Sequence, residues 1–267
     1  MPLIEHSNGY TVTEFQNRFI TWHRTFTRDH NPPLLASSSL VHIHEWIPAI
    51  EPSSTIMKTL KKQGKNFFKF STKYFEAVTV LTQNFTKDWS AKTRYHLSTT
   101  KKNPNLHLRL GTFDELATIM YSSQVPKYMH RFQLALAKTH LEKHPEDIEI
   151  LVATIKNIPV ACFVAGYCTD AQESSYLVGC FTKDERKSRV MLALVHWWFE
   201  RCLERGMVHA NFGNIVGPHP FPFHSMIGFS NFKTHFNIHR VWMPGSRWRV
   251  TLSLQFLHDF LFKVNKI

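Results

Sequence analysis

No run of residues in this chain is both long enough and apolar enough to span a bilayer. The opening residues, MPLIEHSNGYTVTEF, also lack the basic start and the apolar core of a signal peptide. The chain has only four cysteines, which lie in apolar segments without the close pairing of a zinc or redox site: Cys162, Cys168, Cys180 and Cys202. These absences predict buried free thiols in a reducing compartment. We therefore expect a cytoplasmic protein with no transmembrane segment.

Several chemical signatures are missing as well. The sequence has no glycine-rich phosphate-binding loop, no nucleophile-elbow serine and no His/Cys spacing typical of zinc. His42 and His44 would share one face of a strand and could hold a metal, but such a pair is more often polar surface, so we predict no metal site. Among the 17 histidines, three are close enough in sequence to Lys233 to be acid–base candidates: His209, His219 and His224.

Positive charge is abundant. Lysine and arginine number 32 against 20 acidic residues, a net charge of +12 with neutral histidines. Hydrophobic residues make up 43% of the 267 positions, so the chain folds throughout, as one large domain or two small ones. The charge favours an anionic partner: nucleic acid, a phosphate-bearing substrate or an acidic membrane surface. A basic protein without such a partner is the alternative that charge alone leaves open.

The clearest order of elements begins near residue 105. NLHLRL alternates leucine with polar residues, as a half-buried strand does. Thr112 and Glu115 fit a capping box, which predicts a helix through about Ser122, and a second helix runs to Pro145. Three strand-like runs follow, IEILVATI, PVACFVAGYC and SSYLVGCF, and their short connections predict antiparallel neighbours.

From Ser188 the apolar period changes to that of a helix, which Gly206 ends as a C-cap. MVHANF is a short strand, GPHPFPFHSMIG contains one short helix, and two last strands, FKTHFNIHRVWM and WRVTLSLQF, close the domain. This order predicts a mixed sheet flanked by helices, an α/β (α+β) domain. We place that domain at residues 86–267, after an N-terminal basic region at residues 1–85.

The N-terminal region has a weaker pattern. TVTEFQNRFITWHRTF is interpreted as a helix, and TKDWSAKTRYHLSTTKK as another, which carries Arg94, Lys101 and Lys102. Between them, residues 58–73 interleave lysines with phenylalanines. Such a stretch suits phosphate contacts and stacking on the unpaired bases of a tRNA acceptor end, or docking on anionic lipid headgroups near a lipid-linked precursor. The plainer interpretation is a solvated helix face or an edge strand guarded by lysines.

The order of elements resembles that of the GNAT N-acyltransferase fold. Three segments resemble more specifically the FemAB group, the aminoacyl transferases of peptidoglycan bridges: DWSAKTRYHLSTTKKNPNLHLRL, SRVMLALVHWWFERCLERGMVHANFG and GFSNFKTHFN. They are similar to that group's Lys/Arg-rich helix before the first strand, its Leu/Trp-rich helix with the following Asp-Phe-Gly strand, and its Phe-Lys signature. The resemblance covers about residues 75–240, and it implies that the N-terminal region is a reduced GNAT-like subdomain.

The resemblance also implies roles for individual residues. Lys233 would stabilise the oxyanion that forms when an amine attacks an ester or thioester, and Phe232 would shape the wall around the donor's terminal adenosine or acyl group. His209 or an ordered water would take the proton of the amine. Substrate binding is expected from Phe232 and from four further residues: Asn211, Arg94, Ser188 and Arg189. The alternative for Lys233 is a surface lysine on an edge strand whose stem covers apolar neighbours.

Two departures from the family pattern bear on the site. Asn211 stands where the group usually has an aspartate. TKDERKSR stands where acetyl-CoA enzymes of this fold carry a glycine-rich pyrophosphate loop. A close backbone cradle for CoA pyrophosphate is therefore not expected, although the basic residues near this helix N-terminus could attract an anion.

We therefore expect a FemAB-like N-acyl or aminoacyl transferase that forms an amide on an amine acceptor. It has no tightly bound cofactor and uses an acyl donor, aminoacyl-tRNA or acyl-CoA, as co-substrate. Two alternatives are open: an acyl-CoA-dependent N-acetyltransferase, and a non-catalytic GNAT-fold module that binds RNA or an anionic surface. The expected partners are the donor, tRNA, and an anionic membrane or lipid-linked precursor in peripheral contact. The strand at residues 207–212 should splay from the strand ending near Phe181, which opens a V-shaped donor site.

Overall fold

A computed structural model describes residues 3–7, 10–16, 19–27, 32–33, 35, 39–48, 52–69, 74–125, 127–187, 189–215, 227–243 and 246–252. The chain forms two compact units, one of residues 75–241 and the other of residues 1–74 with 242–267. The larger unit thus begins before the boundary expected between residues 85 and 86, and the last strand falls in the smaller unit. No helix of the described residues is long and apolar enough to cross a membrane.

In its described residues, the smaller unit contains a six-stranded mixed sheet and one α-helix. Its elements are β1 (Leu3–Ser7), β2 (Tyr10–Gln16), β3 (Ile20–Thr27), β4 (Val41–Pro48), α1 (Ser54–Lys62), β5 (Phe68–Lys69) and β13 (Arg247–Leu252). In the strand order β1-β2-β3-β4-β13-β5, β3 and β4 are parallel and the other neighbours are antiparallel. The helix expected over TVTEFQNRFITWHRTF is wrong, because its β-branched and aromatic residues form the antiparallel pair β2–β3.

Three histidines lie inside this sheet. His23 Nδ1 on β3 is 2.7 Å from His42 Nε2 on β4, and His44 Nε2 is 2.8 Å from the Thr25 hydroxyl. His42 is 6% exposed and His44 only 1%, so the expectation of a polar surface pair is wrong. The pKa of His44 is lowered to about 3, mainly by burial and further by the charges of the neighbouring histidines. These rings are therefore part of a buried polar network.

The larger unit contains a seven-stranded mixed sheet with helices on both faces. Its strands are β6 (Tyr74–Val80), β7 (Leu106–Leu110), β8 (Ile148–Ile155), β9 (Ile158–Cys168), β10 (Glu173–Phe181), β11 (His209–Ile215) and β12 (His239–Met243). Its helices are α2 (Ala91–Lys101), α3 (Phe113–Ser122), α4 (Lys127–Lys143), α5 (Val190–Glu204) and α6 (Ile227–Lys233). The strand order β12-β6-β11-β10-β9-β8-β7 confirms the predicted α/β architecture.

The central strands β8, β9 and β10 are antiparallel neighbours, as predicted. Along β9, Phe163 and Ala165 join the core beneath α5, whereas Cys162 and Val164 join the core beneath α3 and α4. Side chains of a strand alternate between faces, and both faces here are covered by helices. This is why β8 and β9 are continuous apolar runs in the sequence.

Local signals at the helix ends are confirmed. The Thr112 hydroxyl accepts from the Glu115 N–H, and the Glu115 carboxylate accepts from the Thr112 N–H, so α3 begins with a capping box. Gly206 follows α5 with φ +73°, the left-handed conformation that ends a helix. Both helices therefore begin or end where the sequence indicated.

The C-terminal part of the sheet differs from the expectation. The segment interpreted as a strand from Phe232 onward forms the end of α6, a 3-10 turn at Thr234–Phe236 and only then β12. WRVTLSLQF contributes β13 to the smaller unit, and the strand beside β11 is β6, from upstream of the first predicted strand. Alternation within a strand specifies its buried face but not its partner, so this pairing could not be inferred locally.

The cysteines follow the prediction with one exception. Cys162, Cys180 and Cys202 are buried free thiols, whereas Cys168 is exposed because it is the last residue of β9. The sulfur atoms of Cys162 and Cys180, which face each other on β9 and β10, are 3.3 Å apart.

A buried carboxylate fastens α5 to the sheet. Glu149 on β8 accepts a hydrogen bond from the Tyr167 hydroxyl at 2.8 Å, from Arg201 Nε at 3.2 Å and from Arg205 Nη2 at 2.9 Å. Burial raises the pKa of this carboxyl, but the bonds from Arg201 and Tyr167 and the two guanidinium charges together hold the pKa below its usual value. The ionised form is therefore the one that stabilises the fold.

Glu149→Gln is expected to lower the free energy of unfolding by about 1–3 kcal/mol at pH 7, because two guanidinium groups lose their anion. The wild-type carboxylate stabilises the fold above its ordinary pKa of 4.5, and this contribution disappears as the pH falls further. The difference in unfolding free energy between the wild type and Glu149→Gln, measured by urea unfolding, should therefore shrink below pH 4.5. Glu142→Gln, which removes only an exposed pair with Lys138, is the matched control. A difference that does not change with pH would contradict the ionic interpretation.

Candidate functional site

β10 and β11 are paired at one end only. Their parallel pairs are Glu173–His209, Ser174–Ala210 and Ser175–Asn211, and no other pair joins these two strands within their described residues. The register of each strand with its other neighbour is irregular here, between Tyr176 and Val178 and between Asn211 and Asn214. Gly213, in the second irregularity, adopts φ +69°, which glycine tolerates. The strands thus diverge into a V, which confirms the predicted splay.

Lys233 is the last residue of α6, and only 1% of it is exposed. Burial lowers the pKa of its ammonium to about 8, although the Glu76 carboxylate acts in the opposite direction. A surface lysine on an edge strand, the alternative drawn from the sequence, is therefore wrong. The sequence does hold a signal for the helix, because Phe229, Phe232 and Phe236 are spaced by three and four residues.

Two carboxylates that no sequence motif indicated meet the side chain of Asn211. Asn211 Nδ2 donates to Glu76 Oε2 at 2.9 Å and to Glu173 Oε1 at 3.1 Å, and its Oδ1 accepts from the Gly213 N–H at 2.8 Å. Glu76 is on β6 and Glu173 on β10, the strands on either side of β11. An ionised aspartate at position 211 could not donate these bonds and would add a third negative charge. The two glutamates therefore explain why position 211 holds an asparagine and not an aspartate.

The Glu76 carboxyl has a raised pKa. Burial is the main cause and the charge of Glu173 adds to it, whereas the hydrogen bond from Asn211 and the charge of Lys233 oppose it. Ala77, next to Glu76 in sequence, belongs to the core beneath α5, so Glu76 projects from the other face of the sheet. Among the described residues, the site thus holds two carboxylates joined by an amide and a buried ammonium whose charge acts on Glu76.

Phe232 and the residues after it fix the end of α6. Phe232 is half-buried and packs against Phe236, with ring centroids 5.0 Å apart. Phe236 is fully buried, and its ring stacks on Phe212 of β11 at 5.2 Å. The Phe236 carbonyl accepts from the Thr79 hydroxyl on β6 at 3.0 Å. These contacts hold Lys233 against the two strands that carry Glu76 and Asn211.

His209 lies at the paired end of the V. It is the first residue of β11, opposite Glu173 on β10, and its N–H donates to the Gln172 carbonyl at 3.1 Å. The structure brings carboxylates rather than this imidazole to the Asn211 amide. The role of His209 as proton acceptor stays a prediction. The other two candidate histidines, at positions 219 and 224, lie outside the described residues.

Two of the remaining predicted binding residues, Arg94 and Arg189, lie on α2 and at the start of α5. Arg94 Nη1 donates to two carbonyl oxygens of the preceding turn, at 2.7 and 2.6 Å, and so closes that turn. Arg189 is exposed, precedes α5 in the left-handed conformation with φ 59°, and contacts the ring of His96 on α2. Ser188 lies outside the described residues. The role of these three residues in substrate binding stays a prediction.

Two adjoining cavities run along α2 and α5. The lining of one, of about 410 Å³, includes three basic side chains of α2 and its end, and that of the other, of about 380 Å³, includes two glutamates of α5. Thr86 and His196 line both. Lys101 Nζ lies 3.3 Å from His196 Nε2 between them. Among the described residues, one group of side chains is close enough together to share a cation, in the turn before β8: His144, Glu146 and Asp147. Lys233 lines neither cavity and does not belong to this group of side chains.

Comparison with solved structures identifies the fold, whereas no family model and no curated protein matches the chain. FemX matches over 94% of this chain and 86% of its own, with a TM-score of 0.62 at 10% identity. The C-terminal domain of a proposed lysylphosphatidylglycerol synthetase from Agrobacterium fabrum matches over 97% of this chain and 87% of its own (TM-score 0.53, 13% identity). A GCN5-related glucosamine N-acetyltransferase region in a fungal multi-domain GH3 β-N-acetylglucosaminidase matches over 90% of this chain and 31% of that one (TM-score 0.51, 9% identity).

At these identities the similarity shows a shared fold and not a shared activity. The observed order of elements and the divergence of β10 from β11 agree with it. The chain therefore has the GCN5-related N-acetyltransferase (GNAT) fold, and it shares its overall architecture with FemX.

Proposed function

We propose that this chain transfers an acyl or aminoacyl group from an ester or thioester donor to an amine, forming an amide. The observation that carries the proposal is the buried Lys233 ammonium, held near Glu76 where β10 and β11 begin to diverge. When an amine attacks the donor carbonyl, negative charge develops on the carbonyl oxygen. A fixed cation in a site of low water content stabilises that oxyanion.

The V between β10 and β11 supports a donor site. Beyond Ser175 and Asn211, the two strands share no described pair, so the gap that widens between them can admit a ligand. An extended donor can bind in such a gap as an additional strand does. Phe232, half-buried next to Lys233 in sequence, supplies apolar surface for the donor's terminal group.

We propose aminoacyl-tRNA as the donor. The turn before α5 contains no glycine and ends in the left-handed Arg189, so it differs from a close backbone cradle for pyrophosphate. Exposed lysines and arginines along α2 suit the phosphate backbone of a nucleic acid. Peripheral contact with an anionic membrane or a lipid-linked precursor is the further partner that the basic composition favours.

The donor can be identified by offering two donors to one acceptor. The purified chain is incubated with lysine amide as the amine and with either radiolabelled aminoacyl-tRNA or radiolabelled acetyl-CoA, and amide product is counted. Transfer from aminoacyl-tRNA is the expected result. Transfer from acetyl-CoA alone would assign the chain to acyl-CoA-dependent N-acetyltransferases. Tight tRNA binding without turnover of either donor would identify a non-catalytic binding module.

The salt dependence of tRNA binding should locate the contacts. Lys101 and Lys102, at the end of α2, line the basic cavity and are exposed. Replacing both by glutamine is expected to reduce the slope of log K against log salt by about 1–2, because each phosphate contact releases counterions. Binding is measured by filter retention between 50 and 200 mM salt, roughly the range over which such contacts respond.

Control variants test whether these two lysines, rather than the overall positive charge of the chain, set the salt dependence. Lys138→Gln on α4 removes another exposed cation and should leave the slope unchanged. Lys61→Gln with Lys62→Gln tests the smaller unit, where both lysines are exposed at the end of α1. If the slope is the same in the wild type and in both double variants, these four lysines contact solvent and not the phosphates of tRNA.

A further inference from the structure

The acids at Asn211 have no assigned role in the transfer described above. They lie on β6 and β10, the strands on either side of β11, and the Asn211 amide group joins them. The transfer reaction needs a proton acceptor, because the attacking amine must lose a proton as its new bond to carbon forms. The question is which group near the vertex can take that proton.

We propose that the Glu76 carboxylate is this proton acceptor, with Asn211 as the residue that positions it; the inference rests on the proposed transfer activity. Asn211 Nδ2 holds Glu76 Oε2 at 2.9 Å, which fixes one carboxylate oxygen and leaves the other for an incoming amine. Glu76 is opposite Asn214 in the β6–β11 register, on the diverging side of the last β10–β11 pair. The carboxylate therefore lies at the start of the open part of the V.

Glu173 is the less suitable of the two acids. It is the first residue of β10, opposite His209, where β10 and β11 are still paired. Its charge nevertheless reaches Glu76 and raises the pKa of that carboxyl, in addition to the larger effect of burial. A carboxylate of raised pKa is a stronger base near neutral pH. Glu173 thus acts through Glu76 rather than on the substrate.

The transfer from the donor ester to the amine balances in protons and electrons without a further reactant. The neutral amine forms an N–C bond to the donor carbonyl, and the C–O bond to the ribose of the donor ester breaks. The nitrogen loses one proton and the leaving ribose oxygen gains one. Glu76 takes the first and returns it to the second, so the carboxylate is restored after each transfer. Lys233 keeps its proton throughout and neutralises the oxyanion.

The test is the pH profile of kcat/KM for transfer from aminoacyl-tRNA to lysine amide. In the wild type the rate should rise with pH through an acid limb as Glu76 ionises. Glu76→Gln should lower kcat/KM by about 10²–10⁴-fold and remove the limb that Glu76 causes, leaving only the rise due to deprotonation of the amine itself. Its amide oxygen still accepts from Asn211, so the thermal unfolding temperature should change little. Glu142→Gln on α4 is the matched control and should keep the wild-type profile.

Two further variants keep Glu76 and change only its surroundings. Glu173→Gln removes a negative neighbour and should move the acid limb to lower pH. Asn211→Asp adds a negative neighbour and removes a donor, so it should move the limb to higher pH. A purely structural role for these residues would change the rate without moving the limb.

The outcomes distinguish this inference from the proposed function. A wild type inactive with aminoacyl-tRNA and with acetyl-CoA would overturn both. An active wild type whose Glu76→Gln variant keeps its rate within about threefold, with the acid limb intact, overturns the role of Glu76 alone. An acid limb that stays in place in Glu173→Gln and in Asn211→Asp would likewise assign the titration to another group.

Discussion

Replacing Lys233 by methionine is expected to lower the rate of transfer about 10²-fold or more, mostly in the catalytic step rather than in donor affinity. Methionine keeps the apolar contacts of the lysine stem and removes only the charge. Because the oxyanion exists in the transition state and not in the bound donor, the loss should appear in kcat. The measurement is steady-state transfer at pH 7 with the donor that supports turnover.

Although Lys233→Met lowers the rate, it should leave the fold as stable as the wild type or more stable. Burial lowers the pKa of Lys233 from 10.5 to about 8, so the folded state disfavours its charged form. The wild type should therefore become more stable as the pH rises from 8 to 10.5, since the unfolded chain binds more protons over that range. Lys233→Met lacks this dependence, and its unfolding temperature at pH 7 should equal or exceed that of the wild type.

Two controls complete this prediction. Lys233→Arg should rescue activity poorly, because a planar guanidinium fork cannot place its charge where a compact ammonium lies. Lys138→Met, an exposed change on α4, should leave the rate unaltered. Full activity of Lys233→Met would remove Lys233 from the catalytic machinery and leave it a buried structural residue.

Trp198→Ala is expected to lower the free energy of unfolding by about 3–5 kcal/mol, the largest stability effect we anticipate. Trp198 on α5 is fully buried, and its ring centroid is 4.7 Å from that of Phe163 and 5.1 Å from that of Phe212. Its Nε1 also donates to the Ser174 hydroxyl at 2.8 Å, at the start of β10. The substitution leaves a large cavity between α5 and the strands that form the V.

Urea unfolding followed by circular dichroism checks this value. The midpoint should fall while the slope with urea stays constant, because the surface exposed on unfolding is nearly the same. Tyr95→Ala, at a residue that is 68% exposed on α2, should change stability by no more than about 0.5 kcal/mol. A loss below about 1 kcal/mol for Trp198→Ala would mean that the core collapses around the missing ring.

The candidate site could be predicted from the sequence only in part. Phe232 and Lys233 were found through a short signature, although the segment was interpreted as a strand. The two glutamates were not found, because Glu76 and Glu173 are 135 and 38 residues away from Asn211 in the sequence. Their meeting depends on β6 and β10 both lying beside β11. No local pattern carries that information.

The sequence by itself determined the elements from β7 to β11, with the ends of α3 and α5. Apolar periodicity, a capping box and a terminal glycine act within a few residues of chain, so they remain legible without a structure. Tertiary structure decided which strands pair, that β13 joins a different sheet from β12, and that residues 228–236 end in a helix and a turn. It also decided that Lys233 is buried near an acid, because burial and strand pairing depend on contacts between distant segments.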